Sequence, residues 1–295
     1  MGVRVPGGLV DATVLREGDA GRDWLDRLPR IVTDACERWN CTIDGDSWHG
    51  QVALVVPVRH GRGPAVLKVS FPHRGNVGEA AALRTFAGRG AVELFEGDET
   101  GLVLVVERAQ PTTLADHVAA SEDYPVEEAV EIAGELAHQL AVDPMPGIVP
   151  LAESMASWAE QLRGQVAVCP DALPGWVVGR ALATIEHLAG DRTPTMIHGD
   201  LHFGNILSSH RAPWLTIDPK GWSGTAAFDA FTVIAGRVEH QAIVDRIHRF
   251  SAAARIDPDL ALACCQARAV SSYLYQQQVP GSWFDLEFLR ILATC

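Results

Sequence analysis

A chain of 295 residues, 47% hydrophobic and 21% charged, has the composition of a globular protein and exceeds what one hydrophobic core usually organises, which predicts two lobes. Its formal net charge of −13 excludes a nucleic-acid partner held by clustered Lys and Arg; a cationic small molecule suits it better, although acidity also serves solubility alone. No stretch reaches the roughly 18 apolar residues of a membrane span and the start lacks the apolar core of a signal peptide, so the reading is a cytoplasmic protein with no membrane partner.

The first element is a helix. Residues 21–40 place Trp24, Leu28, Ile31, Ala35 and Trp39 at intervals of three and four, the stripe of an amphipathic helix. Two β-branched runs follow, QVALVVPVRH and PAVLKVS, joined by the turn-forming GRG. They predict a β-hairpin, with Pro57 confined to a sheet edge or a bulge. GEAAALRTFA reads as a helix, and the short AVELFE, the turn GDETG and the apolar LVLVVERA follow it.

Beyond Gln110–Pro111 helical periodicity takes over in VEEAVEIAGELAHQLAV, SMASWAEQLRGQ and GWVVGRALATIEHLAG. The division therefore falls near Ala109, with a β-rich lobe over residues 1–109 and a helical lobe over residues 110–295. TMIHGDLHFGNILSSHRAPWLTIDP is the exception. Its two apolar pieces, MIHGDLH and WLTIDP, predict a strand-loop-strand insert whose loop presents polar groups from a rigid scaffold. The six cysteines (Cys36, Cys41, Cys169, Cys264, Cys265 and Cys295) contain no CxxC pair and read as reduced, buried thiols rather than zinc ligands.

The chemistry concentrates in that insert. Phosphoryl transfer needs a carboxylate near the attacking hydroxyl, oxygen ligands for magnesium and positive charge on the phosphates. Protein kinases supply the first two through H-R-D-x-x-x-x-N. Here His198, Asp200 and Asn205 stand at that spacing with Gly199 in place of the arginine, and Asp218 ends the next apolar strand, where the D-F-G aspartate belongs. Asp200 is then the candidate catalytic aspartate, and Asn205 and Asp218 are the hard oxygen donors that magnesium prefers. Singly, these residues read as a tight turn and a helix cap; in order and at this spacing they point to phosphoryl transfer. His198 and His202 sit at i and i+4 like a helical metal pair, but Gly199 and Gly204 disfavour the helix such a pair needs.

Lys68, in the second hairpin strand, occupies the place of the phosphate-contacting lysine of V-A-I-K. Glu79, at the start of the following helix, is its candidate ion-pair partner. A lone strand lysine is otherwise a solvated surface residue. No G-x-G-x-x-G and no Walker motif occurs; DGDSWHGQ offers Ser47 as a phosphate contact or simply makes a turn. The run into Glu107, Arg108 and Ala109 fits a hinge whose backbone pairs with adenine.

With these residues in view, the sequence resembles the aminoglycoside phosphotransferase superfamily, and more narrowly its streptomycin 6-phosphotransferase and hydroxyurea kinase branch. The similar segments are GRDWLDRLP, VPVRHGRGPAVLKVS, LVLVVERA, IHGDLHFGNIL and PWLTIDPKGW. The resemblance implies an α+β, bilobal, protein-kinase-like fold with a small β-rich N-lobe and a larger helical C-lobe. It implies ATP and Mg²⁺, with Asp200 as catalytic aspartate, Asn205 and Asp218 as magnesium ligands, and Lys68 with Glu79 as the pair that positions phosphates. It also implies that the helical lobe holds the substrate, through acidic residues that receive ammonium or guanidinium groups.

Related sequences continue after IDPK with G-D-P-x-x-D. This chain has Gly224, Thr225 and Ala226 before Asp229, which keeps the supporting role of the final aspartate beside His198 and His202. The segment from Val238 onward is the least family-like. The implied function is ATP-dependent phosphorylation of a hydroxyl on an aminoglycoside-type, streptomycin-like antibiotic, conferring resistance, by a monomer or dimer. Two alternatives stay open: a kinase of a metabolite or biosynthetic amino sugar, and a silent binding protein that has kept the fold. Loss of Lys68, Asp200 or Asp218 would favour the silent protein, and all three are present; the Thr225–Ala226 departure is its best support.

Overall fold

The computed structural model describes residues 3–73, 75–120, 125–235, 242–279 and 284–295. The chain divides into two compact units, Met1–Gln110 and Pro111–Cys295.

The first unit is a helix on an antiparallel sheet. Helix α1 spans Gly7–Arg38 and is broken at Gly18, whose φ of 58° and ψ of −129° only glycine adopts easily. Its second half buries Trp24, Leu25, Leu28, Val32 and Ala35, the stripe that the periodicity predicts, with Ile31 and Trp39 packed at its margin. The helical turns from Gly7 to Glu17 lie outside the predicted range. They bury only Leu9 and Thr13, too sparse a pattern for periodicity to find.

The strands are β1 (Thr42–Ile43), β2 (Trp48–His49), β3 (Ala53–His60), β4 (Gly63–Ser70), β5 (Leu94–Gly97) and β6 (Val103–Glu107), with helix α2 (Glu79–Phe86) between β4 and β5. Their order is β1-β3-β4-β6-β5, with β2 also on β3. The β3–β4 hairpin closes with His60 opposite Gly63. Pro57 is tolerated because β1 pairs with Val58 and Arg59 while β2 pairs with Leu54 and Val55, which leaves Pro57 in the gap between these edge strands. Its carbonyl still accepts the Asp44 N–H at 2.8 Å.

Leu54, Val56, Val58, Ala65, Leu67 and Val69 join the α1 residues in one apolar cluster. Because side chains alternate along a strand, Lys68, between Leu67 and Val69, faces away from it.

The second unit is mainly helical. In chain order it contains α3 (Leu114–Ala119), α4 (Val126–Leu140), β7 (Val149–Pro150), α5 (Met155–Val168), α6 (Gly175–Ala189), β8 (Met196–Ile197), β9 (Ile206–Ser208), β10 (Trp214–Thr216), β11 (Trp222–Ser223), α7 (Ala230–Ile234), α8 (Ile243–Ala254), α9 (Pro258–Gln278) and α10 (Leu286–Thr294). Helix α9 is its spine, burying Ala261, Cys264, Cys265, Ala267, Ala269, Val270 and Leu274. Helices α4 and α8 meet closely at Gly134, where a Cβ would stand 2.8 Å from the Phe250 carbonyl oxygen. Val238 lies outside the described residues, and the chain after it carries α8, α9 and α10.

The predicted strand-loop-strand insert is built differently. WLT of WLTIDP pairs with Ile206–Ser208, not with MIHGDLH, and Met196–Ile197 pairs instead with Trp222–Ser223. Two small ladders are thus nested, and residues 198–205 form a loop fixed at both ends.

The expectation of buried thiols holds only for Cys264 and Cys265, whereas Cys36, Cys41 and Cys169 are half-buried and Cys295 is exposed. Among the described residues no helix is long and apolar enough to cross a membrane.

Candidate active site

The loop after β8 is held from beneath by a buried carboxylate. Asp229 ends a 3-10 turn, Ala226–Asp229, and is fully buried. Its two oxygens accept the backbone N–H groups of His198 at 3.0 Å and Gly199 at 2.8 Å. Burial pushes its pKa up to about 7, against the pull of these two bonds.

The departure at Thr225–Ala226 keeps this turn intact. The Thr225 hydroxyl accepts the Ala227 N–H at 3.2 Å, the capping bond that starts the turn. Asp191, which no motif marks, accepts the Thr225 N–H at 2.9 Å.

Above Asp229 the loop makes its own bonds. His198 is fully buried; its Nε2 lies 2.9 Å from the Ile217 carbonyl, and its Nδ1 accepts the Asp200 N–H at 3.3 Å. Those partners define a neutral ring with the proton on Nε2, and burial accordingly lowers its pKa to about 4. Gly199, at a φ of 84°, cannot be replaced cheaply, since a Cβ there would stand 2.9 Å from Lys220 Cβ and 2.9 Å from Trp222 Cε3. That is why glycine stands where protein kinases carry arginine. His202 is mostly buried, accepts the Gly204 N–H at 3.1 Å through Nδ1, and has its pKa lowered by burial. It shapes the turn that leads to Asn205.

Asn205 is buried and donates through Nδ2 to the Asp200 carbonyl at 3.0 Å. The bond fixes the amide flip and leaves Oδ1 as the acceptor. The Asn205 carbonyl accepts the Ile217 N–H at 2.9 Å, which ties the start of one strand to the end of the other just before Asp218. Asp218 itself has a φ of 61°, a conformation that non-glycine residues hold mostly at functional or tightly determined positions. An amide oxygen and a carboxylate form a hard donor set that fits magnesium.

Lys220 is the residue that sequence reasoning missed. Its Nζ lies 3.2 Å from Asp200 Oδ2. It stands inside the IDPK run, but neither spacing nor periodicity says where a loop lysine points.

In the first unit, Lys68 Nζ donates to both Glu79 oxygens, at 2.8 and 2.7 Å. Both side chains are buried, so the strand lysine is not a solvated one. Ser47 is committed elsewhere, donating its hydroxyl to the Arg4 carbonyl. Glu107 ends β6 and accepts the Glu93 N–H at 3.0 Å, while its own N–H donates to the Glu93 carbonyl at 2.8 Å. Arg108 turns to Asp44, 2.7 Å away, and Ala109 follows, half-buried. Asp200, Asn205, Lys220 and the His198–Gly199 backbone thus form one constellation in the second unit, and Lys68–Glu79 another in the first.

Comparison with known proteins places the chain in a family. Residues 38–279 match the model described as aminoglycoside/hydroxyurea antibiotic resistance kinase. The chain belongs to that family of kinases. It is 30% identical to a hydroxyurea phosphotransferase of Kitasatospora aureofaciens over 276 residues, 93% of this chain and 80% of the relative. It is likewise 30% identical to a streptomycin 6-kinase of Streptomyces glaucescens over 236 residues, 80% of this chain and 76% of that one. Among solved structures, the GDP complex of wild-type aminoglycoside 2'-phosphotransferase-IIIa superposes with a TM-score of 0.56 at 14% identity, covering 89% of this chain and 96% of that one. The fold is α+β and protein-kinase-like.

Proposed function

We propose that this chain is an ATP-dependent O-phosphotransferase that phosphorylates a hydroxyl of a streptomycin-like aminoglycoside and so confers resistance. The observation that carries the reading is the anchored loop in which Asp200, one-third exposed, hangs from a backbone pinned by Asp229. A carboxylate so presented can orient an acceptor hydroxyl and take its proton as the new O–P bond forms and the P–O bond to the departing ADP breaks. Asn205 and Asp218 would hold the magnesium ion, which supplies charge neutralisation on the phosphates. Lys68, kept in place by Glu79, is the cation for the nucleotide phosphates. Glu107 and Ala109 bracket the backbone that would meet the adenine. Ser47, already donating to a carbonyl, serves the loop rather than phosphate.

The acceptor class is supported by the relatives, named for streptomycin and for hydroxyurea, and by the net charge of −13, which suits a cationic drug. The test is nucleotide consumption by the full chain with streptomycin, hydroxyurea and an amino sugar, followed by mass spectrometry of the product. Phosphorylated streptomycin is the expected result, and amino-sugar phosphate alone would overturn the assignment. Asp200→Asn should lower kcat by roughly 10²- to 10⁴-fold, as loss of a positioned base does, with nucleotide affinity unchanged. Retention of more than about a tenth of the rate is too small an effect for that role.

A further inference from the structure

The turn after Asp218 brings a lysine onto the catalytic carboxylate. Lys220 Nζ lies 3.2 Å from Asp200 Oδ2, with side chains 28% and 34% exposed. An ion pair so exposed ordinarily contributes little, because holding a long side chain in one geometry consumes what the charges gain. Lys220, however, is held by more than its charge.

Its backbone N–H donates to the His198 carbonyl at 2.8 Å, so its Cα is tied to the same residue whose ring accepts the Asp200 N–H. Its stem lies along Gly199, where a built Cβ would come within 2.9 Å of Lys220 Cβ and 3.2 Å of Cγ; glycine leaves the room that the methylenes fill. On either side the chain bends through left-handed conformations, Asp218 at a φ of 61° and Gly221 at 74°. Backbone and packing therefore direct the ammonium to Asp200.

We propose that Lys220 is a positioning residue of the phosphotransferase, its ammonium holding the Asp200 carboxylate in the orientation that receives the acceptor hydroxyl. The inference rests on the reading of Asp200 as the base. Lys220 acts through Asp200, which itself receives the hydroxyl proton.

The experiment is a double-mutant cycle in the full chain with K220M, D200N and the pair, plus K220R. Rates are measured on streptomycin, on hydroxyurea and on slow MgATP hydrolysis with water as acceptor; nucleotide affinity and melting temperature are measured alongside. K220M should lower kcat by roughly 10- to 100-fold, the scale of a misplaced catalytic group, with nucleotide affinity within about twofold of wild type and an unchanged melt. K220R should recover most of the rate. In the D200N background K220M should add less than about a twofold loss, since residues acting as a unit are not additive.

A kcat for K220M within about threefold of wild type overturns the proposal, as does a loss confined to nucleotide affinity. Full additivity in the double variant, or a K220R no better than K220M, does the same. The two readings fail separately: an active D200N removes the role of Asp200, whereas an active K220M beside an inactive D200N removes only that of Lys220.

Discussion

Each unit contains a lysine–carboxylate pair, and the two pairs are built in opposite ways. Lys68–Glu79 is buried, with side chains 10% and 7% exposed, and the ammonium reaches both carboxylate oxygens. Lys220–Asp200 is a longer contact, 3.2 Å, and keeps about a third of each side chain in water. Breaking one half of a desolvated pair is costly, so Lys68–Glu79 holds its arrangement firmly. A hydrated pair separates at little energetic cost, which suits the base proposed for Asp200. The contrast is between a cation fixed in place and a proposed base that is held yet partly hydrated.

Glu79→Ala should show the largest effect on stability. It removes a carboxylate that takes two bonds from a buried ammonium and should cost up to about 3–5 kcal/mol in a chemical denaturation series. Pairing it with Lys68→Met should return most of that loss, because well-packed apolar replacements of buried ion pairs are often close to neutral. By contrast, K220M should change stability by no more than about 1 kcal/mol. Similar losses for E79A and K220M would erase the distinction between the pairs.

Gly199→Ala probes what lets Lys220 lie where it does. The added methyl meets Lys220 and Trp222 at 2.9 Å, on a backbone at a φ of 84°. A cost of roughly 1–3 kcal/mol follows from the strained conformation, and kcat should fall further than stability because both Asp200 and Lys220 are displaced. An alanine variant with a wild-type melt and wild-type rate would mean that the loop adapts and the lysine is not steered by packing.

In the wild-type chain the pH dependence of stability should be small because two groups oppose each other, and separating them tests how the Asp200 loop is anchored. The His198 pKa is lowered from 6.5 to about 4 in the fold. Between those values the unfolded chain binds more protons, so this group's contribution is lost as pH falls. The Asp229 pKa is raised from 3.8 to about 7; there the folded state binds more protons, and its contribution is lost as pH rises. Across about pH 4 to 6.5 the two slopes oppose each other. Melting temperatures of His198→Asn relative to wild type should therefore fall as pH rises through that window, and those of Asp229→Asn should rise. Parallel curves for either variant and wild type would mean that its group titrates alike in both states.

Several parts of this protein were legible in the sequence because they depend on short-range periodicity. The stripe from Trp24 to Trp39 needs only the helical repeat, and the orientation of Lys68 needs only strand alternation and two apolar neighbours. The interval from His198 through Asp200 to Asn205 is set by a loop short enough for spacing to carry its geometry. What spacing does not encode is which distant group closes each loop.

The pairing of Ile206–Ser208 with Trp214–Thr216, the grip of Asp191 on Thr225 and the commitment of Ser47 to the Arg4 carbonyl all join residues whose local sequence is silent about the partner. Lys220 shows the same limit. Its neighbours in the chain mark it only as a loop lysine, and it reaches Asp200 because a left-handed turn, a glycine without a side chain and a backbone bond to His198 leave it that path. Sequence by itself determined the buried stripe of α1, the β3–β4 hairpin and the candidate residues from His198 to Asp218, since each follows from its neighbours' chemistry. Tertiary structure alone decided which of those residues face one another, since that depends on backbone hydrogen bonds and contacts closed between segments far apart in the chain.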